Sequence, residues 1–465
     1  VKIRKTGLAL ASGLLGCAVL PALAQQGGTG MRAVFGISQE LEAGDNLALD
    51  FPEEGSTVLS TTTLSFDFLA ETRTQQLSFG IDGKIREGRI PSGSDLQTGF
   101  VEPALRFAYS REAANARLTA SANYRETDVS FFLPLSDFID DTGVIVLPED
   151  FEDLRGAGTR EAYDAKIGFE TGLNAPLGFT FDAGVNGISY SDTGTTSLTD
   201  IRRTNIGLGT RLRFSEVTTG EITYSQRTYE ADDAVNTERD TNNLEFALTR
   251  DISEAATLTA GIGYSEIEER ENDVVVLREN GLTGRLTYSR DLPNGTIGAS
   301  YTATRDQNGL RDTLRMNRAL DLPTGNLSFN IGTTRKEGGD PKLIGGVNWQ
   351  NALPTGSIRL GLQRNVAVNA EDEERIVTTL DLGYTYEINA LSSIRFNAAY
   401  GMTEQTATGQ DTRRTDITLG YVYALTEDWN LNTGVAYRVR DEDTAGKSDS
   451  ASVYVTIGRS FTLFQ

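Results

Sequence analysis

The chain is predicted to be all-β: a single closed, antiparallel, up-and-down barrel of about 22 strands (roughly 20–24) that crosses a membrane. Three observations predict it. Apolar residues take every second position over stretches of roughly nine to eleven residues, the length a tilted membrane-spanning strand needs. Tight turns and looser, more acidic connections alternate between those stretches. Beyond the amino-terminal leader no run reaches the roughly 18 apolar residues of a membrane helix. The mean hydropathy of -0.30 is what a wall greasy on only one face produces.

Taken in order, the leader comes first. Lys2, Arg4 and Lys5 precede an apolar stretch from Gly7 to Leu20, and Pro21-Ala22-Leu23-Ala24 offers small residues for cleavage. This pattern predicts a secretory signal peptide over residues 1–24, leaving residues 25–465 as the barrel domain. Leu14-Leu15-Gly16-Cys17 also resembles a lipoprotein lipobox, so lipidation at Cys17 stands as an alternative. Cys17 is the chain's one cysteine, and cleavage after Ala24 removes all thiol chemistry.

The first strand is expected from Met31 to Leu41. Tight turns follow near Thr72, Arg111, Asn174, Ser215, Asp251, Asp291, Asp321, Ala352, Ile388 and Thr426. They are rich in the Asn, Asp, Pro and Gly that tight turns require. D-L-P-N-G at Asp291, D-L-P-T-G at Asp321 and A-L-P-T-G at Ala352 are near-copies, marking a repeated hairpin. Between the turns lie more acidic connections such as Ala43 to Ser56, Gly88 to Gly99, Ala231 to Thr237 and Asp441 to Lys447.

The last strand carries a resemblance. From Ser452 the chain reads S-V-Y-V-T-I-G-R-S-F-T-L-F-Q, with Val453, Val455, Ile457, Phe461 and Leu463 on one row and Phe464 next to last. It resembles the terminal strand of Gram-negative outer-membrane β-barrels, although in that family the aromatic usually ends the chain. The resemblance implies an outer-membrane location and a terminal strand read by the barrel-assembly machinery. It further implies contact with lipid and lipopolysaccharide, with both termini and all short turns on the periplasmic side.

The predicted outward rows include Leu77, Phe79 and Ile81; Leu258, Ala260, Ile262 and Tyr264; Leu380, Leu382, Tyr384 and Tyr386; and Ile417, Leu419, Tyr421 and Tyr423. Tyr109, Tyr288, Trp349, Tyr384, Tyr421, Tyr423 and Trp429 fall near the short turns. Tyr124, Tyr264, Tyr400 and Tyr437 fall toward the opposite end. Two belts of amphipathic rings suit the two lipid interfaces.

The predicted inward rows are polar. The candidate pore-lining charges are Arg106, Arg117, Asp164, Lys166, Asp182, Arg211, Arg213, Arg285, Arg359, Asp381, Arg395, Arg414, Asp416 and Arg438. They either line a wet channel or pair to brace the wall; side chains alone do not fill so wide a lumen. The candidate constriction is the third long loop, Val129 to Thr159, with Asp137, Asp140, Asp141, Glu149 and Asp150 as its acids. Its position is similar to that of the third loop of general porins, which folds into the barrel and faces arginines on the wall. Arg106, Arg117, Arg211 and Arg213 are the expected partners. The alternative places the loop's apolar clusters, Phe131 to Leu135 and Val144 to Leu147, on the barrel rim or a neighbouring subunit. Barrels of comparable strand number resemble TonB-dependent transporters, but those carry a large plug before the first strand, and none is expected between Ala24 and Met31.

Composition excludes several function classes. The formal charge of -22 disfavours nucleic acid. With no histidine in the chain, the usual base of outer-membrane barrel enzymes is missing, and no enzyme is predicted. Carboxylate pairs such as Asp140-Asp141 and Glu373-Glu374 are expected to be solvated. Asp45, Asn46 and Asp50 lack diagnostic Ca²⁺ spacing, and no zinc or phosphate-loop motif appears, so no cofactor is predicted. Two readings stay open: a porin-like channel for hydrophilic solutes, or a non-conducting barrel that contacts lipopolysaccharide, a matrix or another protein.

Overall fold

The computed structural model describes residues 30–464 except 54, 92–95, 130–133, 141–142, 155–156, 194–197, 370–372, 407–408 and 444–445. The expected leader with Cys17, the terminal Gln465 and Asp141 therefore lie outside the described residues. The strands are β1 (Gly30–Asp45), β2 (Ser56–Glu71), β3 (Gln75–Arg89), β4 (Gly99–Glu112), β5 (Ala116–Asp128), β6 (Thr159–Thr171), β7 (Leu177–Ser191) and β8 (Ile201–Ser215). Next come β9 (Thr218–Ala231), β10 (Thr237–Ser253), β11 (Ala256–Glu271), β12 (Val274–Leu292), β13 (Gly295–Asp306), β14 (Gly309–Leu322) and β15 (Gly325–Lys336). The circuit ends with β16 (Lys342–Leu353), β17 (Gly356–Val368), β18 (Glu374–Asn389), β19 (Ser392–Gln405), β20 (Asp411–Ala424), β21 (Trp429–Glu442) and β22 (Gly446–Phe464).

Among the described residues these 22 strands form one antiparallel sheet, and β22 pairs with β1 to close it. Closure removes the unpaired edges that lipid would not tolerate. At the seam Phe35 lies opposite Phe461, with ring centroids 6.1 Å apart, and Phe464 reaches Phe68 at 6.3 Å. The aromatic end of the last strand thus sits on the barrel's outer surface, two strands into the circuit.

Every expected short turn is present at its expected place, and both ends of the described chain lie with those turns. The opposite end is less uniform than the sequence suggested. The β11–β12 connection is only Asn272 and Asp273, with φ of 48° and 64°, as in the tight hairpin turns matched to strand twist. Here the strands lengthen, not the loop: β11 has 16 residues and β12 has 19.

Strand periodicity divides the wall into two surfaces. Ile81, Ile262, Tyr264, Leu380, Ile417, Leu419, Val453 and Val455 are exposed on the outer face. With no water to satisfy backbone groups in a bilayer and no charge on these side chains, they form the lipid-facing band. Among the described residues no helix is long and apolar enough to cross a membrane.

Candidate functional site

The site is the lumen and the connection from Val129 to Gly158, which folds into it. Pro134 starts a single 3-10 turn at Leu135–Phe138. A hairpin follows: the Val146 amide donates to the Phe138 carbonyl at 2.8 Å, and Ile139 bridges Ile145. Gly143 at its tip has φ of 82°, a left-handed conformation that glycine adopts without strain. The tip lies against Asn348 and Gln350 of β16 and Arg359 of β17; a Cβ on Gly143 would stand 3.3 Å from Gln350 Nε2. These residues are nearer the short-turn ends of their strands, so the hairpin descends deep into the barrel.

The loop's apolar residues land on the far wall. Leu135, Ile145, Leu147 and Phe151 are buried together with Ala399 of β19, and Phe138, Ile139 and Val377 of β18 pack against them. Gly401 makes the niche: a Cβ there would lie 3.2 Å from both δ-methyls of Leu147 and 3.3 Å from Leu135. Burying these groups is the main drive for seating the loop. The expectation that the clusters need cover is met by the inner wall, not by the rim; Phe131 to Leu133 lie outside the described residues.

Polar contacts fix the register. Asp416 of β20 accepts from the Leu135 amide at 2.5 Å, and Thr379 of β18 donates to the Ile145 carbonyl at 3.1 Å. Arg375 of β18 pairs with Glu152 and donates to the Pro148 carbonyl at 2.8 Å, while Arg440 of β21 donates to the Leu154 carbonyl at 2.8 Å. Arg414 lies over the Phe151 ring, 5.4 Å from its centroid. On the near wall, Arg125 of β5 holds Asp137 at 3.1 Å. Arg160 of β6 grips Asp150 at 2.6 and 3.2 Å, with the Tyr190 hydroxyl donating to the same carboxylate. Arg203 of β8 makes two bonds to Glu149, of 2.7 and 2.5 Å. Such planar, two-pronged pairs fix geometry as well as charge. The loop therefore spans the lumen from β5–β8 to β16–β21.

The expected cationic partners of the loop are corrected by this geometry. Arg106 bonds Asp82 at 2.6 Å and lies 3.7 Å from Asp67. Arg117 meets Glu112 at 3.5 Å and Glu170 at 3.9 Å, and Arg213 donates to the Ala175 carbonyl at 3.0 Å in a short turn. Arg211 lies across from Glu221, near the same end of the barrel. The loop enters from the opposite end, so it meets Arg125, Arg160 and Arg203, which stand close to that end of their strands. Depth along the strand is the signal that would have found them. Asp140 turns inward on its own hairpin, accepting from the Val144 amide at 3.1 Å.

A second correction concerns three candidate pore-lining charges. Asp381, Arg414 and Asp416 have 2%, 5% and 8% exposure, so the loop covers them and they do not face open lumen. The remaining candidates alternate with the exposed aliphatics. Asp164 accepts from Asn123 at 3.0 Å, Arg285 pairs with Glu245 at 2.9 Å, Arg359 with Asp381 at 3.0 Å, and Arg438 lies 3.7 Å from Glu42. Lys166, Asp182 and Arg395 occupy the same inward parity on β6, β7 and β19. The sequence reading missed Tyr229 of β9, an inward ring held between Arg203 at 5.0 Å and Arg239 at 5.1 Å.

Other sequence candidates have structural employment. Asn46 braces the first connection, donating to the Ser448 hydroxyl at 2.8 Å and the Asp50 carbonyl at 3.1 Å. Glu374 pairs with Arg311 at 2.5 Å and with Lys342.

Comparison with known proteins bears on the fold. Residues 278–444 match the model of the Gram-negative porin family. No curated protein sequence matches the chain. Among solved structures, the FrpB iron transporter from Neisseria meningitidis (F3-3 variant) is similar at a TM-score of 0.57 and 9% identity, over 92% of this chain and 82% of that one. The siderophore receptor PirA from Pseudomonas aeruginosa is similar at 0.51 and 9% identity, over 94% and 81%. A mutant ferric enterobactin receptor from the same species, in complex with enterobactin, gives 0.53 and 9%, over 94% and 82%. At such identities the likeness is one of fold.

Proposed function

We propose that this chain is a porin-like outer-membrane β-barrel whose lumen is a restricted channel for hydrophilic solutes, with the short turns facing the periplasm. The loop from Val129 to Gly158 is the constriction. One observation carries the reading. Hydrogen bonds and ion pairs tie this loop to β5–β8 and to β18–β21. The opposite inner surface, β9–β15, presents Ser225, Arg227, Thr241, Asn243, Thr283, Arg285, Ser300, Arg315 and Asn317. Solutes pass between this polar surface and the loop, selected by width and by charge rather than by a specific binding pocket.

The family match and the named functions of the structural neighbours support transport as the class. Purified protein in a planar bilayer should give reproducible single-channel steps, and removing residues 134–154 should enlarge them several-fold. Absence of steps from both forms would overturn the channel reading in favour of a non-conducting barrel.

A further inference from the structure

Arg250, Arg290 and Arg318 stand near the short-turn ends of β10, β12 and β14. Each continues its strand's outward row, following the exposed Leu248, Tyr288 and Met316. Asp251 and Asp291 come directly after the first two arginines, so strand alternation sends the cation to the lipid side and the acid to the lumen. Register brings the three together. Arg290 lies opposite Ile297, which lies opposite Arg318, placing these two arginines on one rung at two strand spacings, about 10 Å. Arg250 lies opposite Leu258, and Leu258 opposite Tyr288, one outward position from Arg290.

The charges are not neutralised locally. The outward rows of β10–β14 carry no carboxylate at this end. Arg318 donates to the carbonyls of Thr296 and Ala319 at 2.9 and 2.8 Å and to Asn294 Oδ1 at 2.6 Å, all uncharged acceptors. Arg250 and Arg290 make no ion pair among the described residues. Arg459, also outward at this end, is built differently: it lies 4.4 Å from the Phe461 centroid, 5.4 Å from Trp429 and 3.5 Å from Asp428.

We propose that the short-turn end of β10–β14 binds the phosphate headgroup of an anionic glycerophospholipid, with Arg250, Arg290 and Arg318 around the phosphate and Leu286 and Met316 along the acyl chains. Guanidinium is weakly hydrated and matches phosphate geometry, and both charges act at a lipid interface where water screens them less than in bulk. In a chain of formal charge -22, three outward cations with no carboxylate partner among the described residues are a local reversal of sign. The proposal rests on the membrane-spanning barrel; it depends neither on conduction nor on which end faces the periplasm.

The test is native mass spectrometry of the barrel released from nanodiscs of equal phosphatidylglycerol and phosphatidylcholine. Retained lipid should be enriched several-fold in phosphatidylglycerol for the unmodified chain and for R459Q. The enrichment should vanish in R250Q/R290Q/R318Q, whose folding is checked by heat-modifiable gel mobility. Should that variant not fold, R250Q and R290Q taken singly should each lower the enrichment about twofold or more. Equal retention of the two lipids by the unmodified chain would overturn the proposal. Enrichment that survives the arginine substitutions, or that R459Q abolishes equally, would do the same.

Discussion

The wall beneath the loop and the wall facing it are made from the same residue types, yet they behave as different materials. On β18–β20, Arg375, Thr379, Asp381, Thr403, Arg414 and Asp416 are buried. On β10–β12 the equivalent inward pair, Arg285 and Glu245, keeps side-chain exposures of 40% and 29%. What separates them is not the charge content of the strands but the apolar residues that the loop delivers. An inward row of Thr, Gly, Arg and Asp is a hydrophilic surface by default. It becomes an interior only where Val377, Ala399 and Gly401 interrupt it and offer Leu135 and Leu147 something to bury against.

The contrast can be broken most effectively at the buried ion pair. Arg375 and Glu152 have side-chain exposures of 2% and 8%, so Arg375→Ala strands a buried carboxylate, a change on the order of 3–5 kcal/mol. The loop should then leave the wall, read as faster hydrogen exchange over residues 134–154 and larger conductance steps. Leu147→Ala comes next, at about 2–4 kcal/mol against the seated loop, because it empties the niche over Gly401. Filling that niche from the wall side with Gly401→Leu should cost about 1–3 kcal/mol and unseat the same residues.

Arg203→Gln on the near wall should do less. The Arg203–Glu149 pair is 31% and 24% exposed, and its loss should cost about 1 kcal/mol or less, leaving exchange over the loop nearly unchanged. The smallest effect is expected for joint neutralisation of Arg106, Arg211 and Arg213. Arg106 already sits beside two aspartates and Arg213 on a turn carbonyl, so ion selectivity should move only slightly toward cations. A large shift would mean that these residues, not β9–β15, line the narrowest point.

The sequence made the barrel legible because periodicity and turn chemistry are local. Asp291-Leu-Pro-Asn-Gly and its near-copies locate hairpins, and alternation through Val453, Val455 and Ile457 locates a face, without knowledge of any distant strand. The third loop was visible for the same reason, as an apolar and acidic segment too long for a turn. Its destination was not. Leu135 and Asp416 are 281 residues apart, and alternation says that Asp416 points inward but not what will cover it. The loop's cationic partners were misassigned because parity marks Arg106 and Arg125 equally without ranking them by depth. The β11–β12 connection departs from the looser links expected at that end because β11 and β12 run on to Glu271 and Val274.

The central claim is that the loop crosses the lumen and seats Leu147 over Gly401, and engineered cysteines test it most directly. In L147C/G401C the seated loop brings the two cysteines together at the wall, since a Cβ at 401 would stand 3.2 Å from both δ-methyls of Leu147. Mild oxidation of the folded barrel should form the cross-link in high yield, protect both thiols from a water-soluble maleimide and lock the conductance at its small value. Two freely labelled thiols with no cross-link would contradict the account.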